Sequence, residues 1–290
     1  MDNIAREVLK TKLVSFKGTG FQDAIDRVFL TIYAEDDFVR IKQKRDQGSD
    51  GILNSNTVVA AYAPEKYSLN DFKKKVKSDH TSYLNNWADT HENWMVVTNL
   101  EMTSAMLKFI TSLKGDTKSM CIEQLLEFIS KQTWTKKSAI FNALDIPDKY
   151  LTNDVLDTAV NDLIKLCDGG TTFQPYEQPI YIRTKIDMNV SEDCRDLFLD
   201  DYEEALSIFP MLQNVIQSRN STVISAIRSK IRVTYSGLSG PFDNKFNSMV
   251  SALSGIKEVD EYYKYHMRII LIYFFEQCLF GQKTDEEKAI

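Results

Sequence analysis

Apolar residues along the first third of the chain fall into two rhythms, and the change between them organises the reading. Ile4, Val8, Leu9 and Leu13 recur at three- and four-residue intervals, predicting a helix that closes before Gly18-Thr19-Gly20. The stripe Phe21, Ile25, Val28, Phe29, Ile32 and Tyr33 then predicts a second, amphipathic helix. From Phe38 the period drops to two. Strands are expected over 38–42, 51–54 and 57–62, and the last of these, Thr57-Val58-Val59-Ala60-Ala61-Tyr62, is apolar on both faces as a covered central strand would be. Pro64 ends it. Ser68 is placed to cap a long helix reaching about Ala88, and Trp94-Met95-Val96-Val97-Thr98 reads as a further buried strand.

Beyond Thr103 the strand rhythm fades. Helical spacing runs through Met106 to Leu113, Ile122 to Ile129, Ala139 to Leu144 and Val155 to Leu166, then a breaker-rich stretch from Asp168 to Pro179 reads as a linker or long loop. Helical patterns resume from Cys194 and end with Tyr262 to Phe280. The last is apolar on nearly every side, which suits the central helix of a domain or a subunit interface. The expected fold class is α+β: a mixed-sheet α/β domain over residues 1–115, then an all-α domain over 116–290.

Composition narrows the class. A chain of 290 residues with 43% hydrophobic and 26% charged positions is an ordinary globular sequence, long enough for two cores. The four cysteines show no CxxC spacing and there are only three histidines, so reduced thiols are expected rather than a zinc site. The start lacks the basic-then-apolar pattern of a secretory signal, and the most apolar run, Ile269 to Phe275, is far short of the roughly 20 residues of a membrane span. A cytoplasmic protein without membrane contact is expected. Net charge is -6, yet it is uneven: residues 1–100 carry 14 Lys+Arg against 14 Asp+Glu, and the other 190 carry 21 against 27. Any contact with nucleic acid must therefore be local.

One stretch carries candidate chemistry. An aspartate at the start of one strand, a second acidic or amide group near it and a nearby lysine would form a metal-dependent phosphodiesterase site, and Asp50 occupies the first position. Asp50-Gly51 is equally the commonest hairpin-turn signal. Lys42, Lys44 and Arg45, with Lys73, Lys74, Lys75 and Lys77 on the long helix, offer a basic rim for a phosphate backbone or simply a solvated face.

Gly20-Phe21-Gln22, Asp46-x-Gly48-x-Asp50-Gly51, Tyr62-Ala63-Pro64-Glu65, Lys75-x-x-x-Asp79 and Trp94-x-Val96-x-x-Asn99, in this order, resemble the restriction-endonuclease-like (PD-(D/E)XK type) amino-terminal domains of bacterial defence proteins over residues 16–100. The resemblance implies a metal-dependent DNA endonuclease effector in which Asp50 and Asp46 bind Mg²⁺ or Mn²⁺, Gln22 supplies an amide, and Lys75, facing the sheet, steadies the phosphate. The sequence departs from that pattern where it matters most. Ala60 stands where the family carries glutamine and a typical nuclease a metal-binding glutamate, Tyr62 where a nuclease has lysine, and Arg45 replaces the usual glycine. A non-catalytic nucleic-acid sensor or scaffold on a degenerate nuclease fold is the alternative.

A second resemblance covers residues 180–282. Lys185-Ile186-Asp187-Met188-Asn189-Val190-Ser191, the basic helix with Arg228, Lys230 and Arg232, and the ending Tyr273-Phe274-Phe275-Glu276-Gln277-Cys278 are similar to the helical carboxy-terminal domain of ABC-three-component (Lamassu-type) antiphage systems. That likeness implies docking onto other subunits, including an SMC/ABC-type ATPase, with homo-oligomerisation a further option.

Overall fold

The computed structural model describes residues 1, 3–33, 37–41, 49–167, 181–277 and 279–283. The chain divides into two compact units, Met1–Tyr150 and Leu151–Ile290. Both α-helices and a five-stranded mixed sheet are present, so the protein is α+β.

In the first unit, α1 (Asn3–Ser15) and α2 (Gly18–Ile32) precede β1 (Phe38–Arg40), β2 (Gly51–Leu53) and β3 (Thr57–Tyr62); α3 (Leu69–Asn86) then leads to β4 (Asn93–Thr98), and α4 (Ser104–Thr111) to β5 (Asp116–Met120). The sheet order is β1-β2-β3-β4-β5, with β1, β2 and β3 antiparallel and β3, β4 and β5 parallel. Two crossing helices, α3 and α4, are what parallel neighbours require. The unit closes with α5 (Ile122–Ser130) and α6 (Trp134–Ala143), and α7 (Lys149–Lys165) begins at the division.

The sequence places four strands close to where they lie. It misplaces the boundary. The expected helical domain from residue 116 begins instead with β5, hydrogen-bonded to β4 from Asp116 to Met120. Asp-Thr-Lys-Ser-Met carries almost no apolar signal because this is an edge strand, where a lysine and short polar side chains guard unpaired backbone groups.

β3 and β4 read as continuous apolar runs because both of their faces are covered. Val58, Ala60, Tyr62, Trp94 and Val96 form one cluster with Phe72, Val76 and Tyr83 of α3 and Met106 and Ile110 of α4. The alternate residues Val59, Ala61 and Val97 are buried as well, and α2 packs on β3. Ser68 caps α3 as expected, its hydroxyl accepting from the Asp71 N–H at 3.4 Å. The hairpin between β2 and β3 turns through Asn54 and Ser55, at φ +50° and +52°. Asp50-Gly51 is therefore not the turn; it opens β2. Gly51 is needed for a different reason, since a Cβ there would come within 2.7 Å of the buried Phe38 ring on β1.

The second unit continues from α7 through α8 (Ile182–Asn189), α9 (Glu192–Gln217), α10 (Ser221–Ser236), α11 (Phe242–Ser254) and α12 (Glu261–Glu276), with a short 3-10 turn, Gly255–Lys257, between the last two. Its core is aromatic: Phe198, Phe242, Phe246, Phe275 and Phe280 pack edge-on and stacked at centroid separations of 5.1 to 6.4 Å. The all-round apolar helix α12 is the central helix of this unit. Ile269, Ile270, Leu271, Ile272, Phe274 and Phe275 are all buried inside it, so the interface reading of this helix is not needed. Among the described residues no helix is long and apolar enough to cross a membrane.

Candidate functional site

Two of the polar residues singled out by sequence, Gln22 and Asp50, meet where α2 reaches the start of β2. Asp50 is held by its backbone on both sides: its N–H donates to the Val59 carbonyl at 2.8 Å, and its carbonyl accepts from the Ile41 N–H at 3.2 Å. Its carboxylate lies between a helix and a strand. Oδ1 accepts from Nε2 of Gln22, and Oδ2 accepts from the Ala61 N–H at 2.6 Å. Because an ionised carboxylate only accepts, the Gln22 amide must present its NH₂. Asp50 thus adds a side-chain bond to the β2–β3 ladder beyond its own backbone bond to Val59.

Gln22 belongs to a polar seam on α2 that the apolar stripe obscures in the sequence. Four residues on, Asp26 is buried and takes the Arg40 guanidinium at 2.7 Å, and Asp23 shares the same arginine. The spacing of Gln22 and Asp26 by one turn puts both toward the β1 and β2 ends. Burial raises the Asp26 carboxyl to about 6, against the opposing pull of Arg40 and with a further push from Asp23. A carboxyl raised in the folded state contributes stability that is present below its unfolded value near 4 and lost as pH rises through about 6. The stability gained by the natural protein between pH 7.5 and pH 5, relative to Asp26→Asn, should be about 1 kcal/mol once screening around the half-exposed Arg40 is allowed for. Urea denaturation of both proteins at the two pH values measures it, and equal pH dependence would refute the assignment.

The other expected site residues divide. Lys75 is exposed and does not face the sheet; its ammonium pairs with the buried Asp79 at 2.6 Å, one turn along α3. The helical period sets this: Phe72, Val76, Asp79 and Tyr83 form the inward face, and Lys75 falls beside it. Lys73 lies 5.8 Å from the Phe109 ring, whereas Lys74 and Lys77 are exposed. Lys73, Lys74 and Lys77 share one face by their three- and four-residue spacing. Lys42, Lys44, Arg45 and Asp46 lie outside the described residues. Ala60 and Tyr62 point into the apolar cluster under α3, Ala60 only 1% exposed.

Of the two carboxylates expected to hold Mg²⁺ or Mn²⁺, Asp50 alone lies among the described residues. Such an ion takes about six oxygens in near-octahedral order. Among the described residues no group of three acidic, histidine or cysteine side chains converges, and the one carboxylate at the place expected has both oxygens in hydrogen bonds. What the arrangement does chemically is tie α2 to the sheet.

The class the fold defines is therefore an α/β unit with a mixed sheet, followed by a helical unit. Compared with known proteins, the chain matches no family model, no curated protein and no solved structure.

Proposed function

We propose that this protein is a component of a bacterial antiphage system. Its first unit is a restriction-endonuclease-like core that recognises nucleic acid without cutting it, and its helical unit docks onto partner subunits that include an SMC/ABC-type ATPase. The helix, three antiparallel strands, helix and parallel strand of the first unit fit the mixed-sheet domain implied by its sequence motifs. One observation carries the non-catalytic choice: Asp50 joins Gln22 to the Ala61 N–H, while the positions of the usual glutamate and lysine, Ala60 and Tyr62, belong to the apolar core. Lys73, Lys74 and Lys77 supply the phosphate-facing charge.

Asp50 is accordingly a stability residue. Asp50→Ala leaves the Ala61 N–H and the Gln22 amide without their acceptor and should cost about 1–3 kcal/mol. Asp50→Asn keeps an acceptor for Ala61, and the Gln22 amide can turn its oxygen to the new NH₂, so the cost should be less than half as large. Plasmid DNA incubated with Mg²⁺ or Mn²⁺ and the proteins encoded beside this gene should stay intact with all three proteins. DNA binding should weaken with salt, and the slope of log affinity against log salt should fall by roughly 2–3 on joint replacement of Lys73, Lys74 and Lys77 by alanine. Metal-dependent cleavage by the natural protein that Asp50→Asn abolishes without unfolding it would restore the nuclease reading, with Mg²⁺ or Mn²⁺ on Asp50 and Asp46.

A further inference from the structure

The turn joining α11 to α12 presents two aliphatic side chains almost entirely to solvent: Ile256 is 97% and Val259 88% exposed, the highest values for any large hydrophobic residue among those described. Isolated exposed aliphatics are common on protein surfaces. These two differ because the backbone beneath them is fastened at every other step. Gly255 takes a positive φ of +55°, which favours glycine. The Glu258 N–H donates to the Gly255 carbonyl at 3.1 Å and the Asp260 N–H to the Lys257 carbonyl at 3.0 Å. Lys257 turns inward, its ammonium 2.5 Å from Asp162 Oδ2 and 4.8 Å from the Tyr263 ring. Asp162 also accepts from the buried Tyr263 hydroxyl at 3.0 Å, and the buried Asp260 caps α12.

A β-branched side chain has few rotamers to lose, and a fixed turn has little backbone freedom to lose, so ordering this tip on binding costs little. Resting on the reading of the helical unit as a docking domain, we propose that Ile256 and Val259 are its anchor residues, inserted into an apolar cleft with a Lys/Arg-rich rim on a different protein subunit. Charge selects that occupant. The exposed Glu258 stands between the two anchors, while the ammonium of Lys257 beside them is turned inward to Asp162, which Lys165 shares. An anionic membrane surface would be repelled by Glu258, and the one lysine of the tip, Lys257, is paired with Asp162 rather than free for a lipid headgroup. A second copy is a poor fit as well. The apolar groove of about 440 Å³ in the first unit, lined by Val8, Ile146, Pro147 and Tyr150, is rimmed by Glu7 and Asp145 against Lys12.

The test uses the full-length protein and the purified proteins encoded by the adjacent genes, the ATPase subunit first. Interferometry should show one of them binding the natural protein, with affinity at least about 10-fold weaker for Ile256→Glu and for Val259→Glu. Glu258→Lys should also weaken binding. Because all three side chains are exposed, melting temperatures should not change. Binding that survives both aliphatic replacements would overturn the anchor assignment while leaving docking elsewhere intact. If no neighbouring protein binds the natural chain, the docking reading fails and the anchor proposal with it. A loss confined to phosphatidylserine vesicles, or to self-association by light scattering, would overturn the choice of partner.

Discussion

Replacing Phe246 with alanine should remove about 3–5 kcal/mol from the stability of the helical unit. The ring is 1% exposed and touches three others, with centroids 5.3 Å from Phe198, 5.8 Å from Phe242 and 6.4 Å from Phe280. It also lies under Arg268, whose guanidinium carbon is 5.0 Å from its centroid and whose Nε and Nη2 each reach Asp201 at 2.6 Å. Truncation leaves a cavity and takes away the platform that orients that charge pair. The three tryptophans, Trp87, Trp94 and Trp134, all belong to the first unit. Circular dichroism, dominated by helix, should therefore show a transition lowered by roughly 10 °C, with a smaller change in tryptophan fluorescence. Phe246→Leu, which keeps most of the volume, should cost about 1.5 kcal/mol. An alanine variant within about 1 kcal/mol of the natural protein would mean that the aromatic cluster is not the core of this unit.

The sequence made some of this legible for a definite reason. β3 and β4 are buried on both faces, so hydrophobicity alone marks them, and α12 is surrounded by its own unit, so its all-round apolar pattern names the central helix. β5 escaped because it is an edge strand of polar, partly exposed residues, so its pairing with β4 leaves no apolar pattern in the sequence. The position of Asp50 at the head of β2 could be read from the chain. Its bonds to Gln22 and the Ala61 N–H could not, since they depend on how α2 lies across the sheet. Asp26 was hidden in the same way: one acidic residue beside an apolar helical stripe looks like a solvated position until Arg40 is brought to it from β1. Motif order alone puts Lys75 at the site, whereas the helical period turns it toward Asp79.

Restoring the residue of the nuclease pattern should damage the protein. At Ala60 a glutamate would enter a site 1% exposed, among Val58, Tyr62, Phe72 and Trp94, with Val96 beside it on β4. A carboxylate there is cut off from water among largely apolar side chains, so it must either ionise in a poorly solvated place or take up a proton. Ala60→Glu should therefore lower the stability of the first unit by about 3–5 kcal/mol at pH 7, less at pH 5, where the protonated form is easier to reach. Ala60→Gln carries no charge but still buries an amide, for about 1–3 kcal/mol. Fluorescence of the neighbouring Trp94 reports the loss directly. The opposite result would be decisive for function. If Ala60→Glu keeps the natural melting temperature and calorimetry shows that it acquires Mn²⁺ binding that Asp50→Asn removes, the two carboxylates share a site. The β3 face would then be open to a metal, and the proposal that Asp50 serves only to bind α2 to the sheet would be wrong.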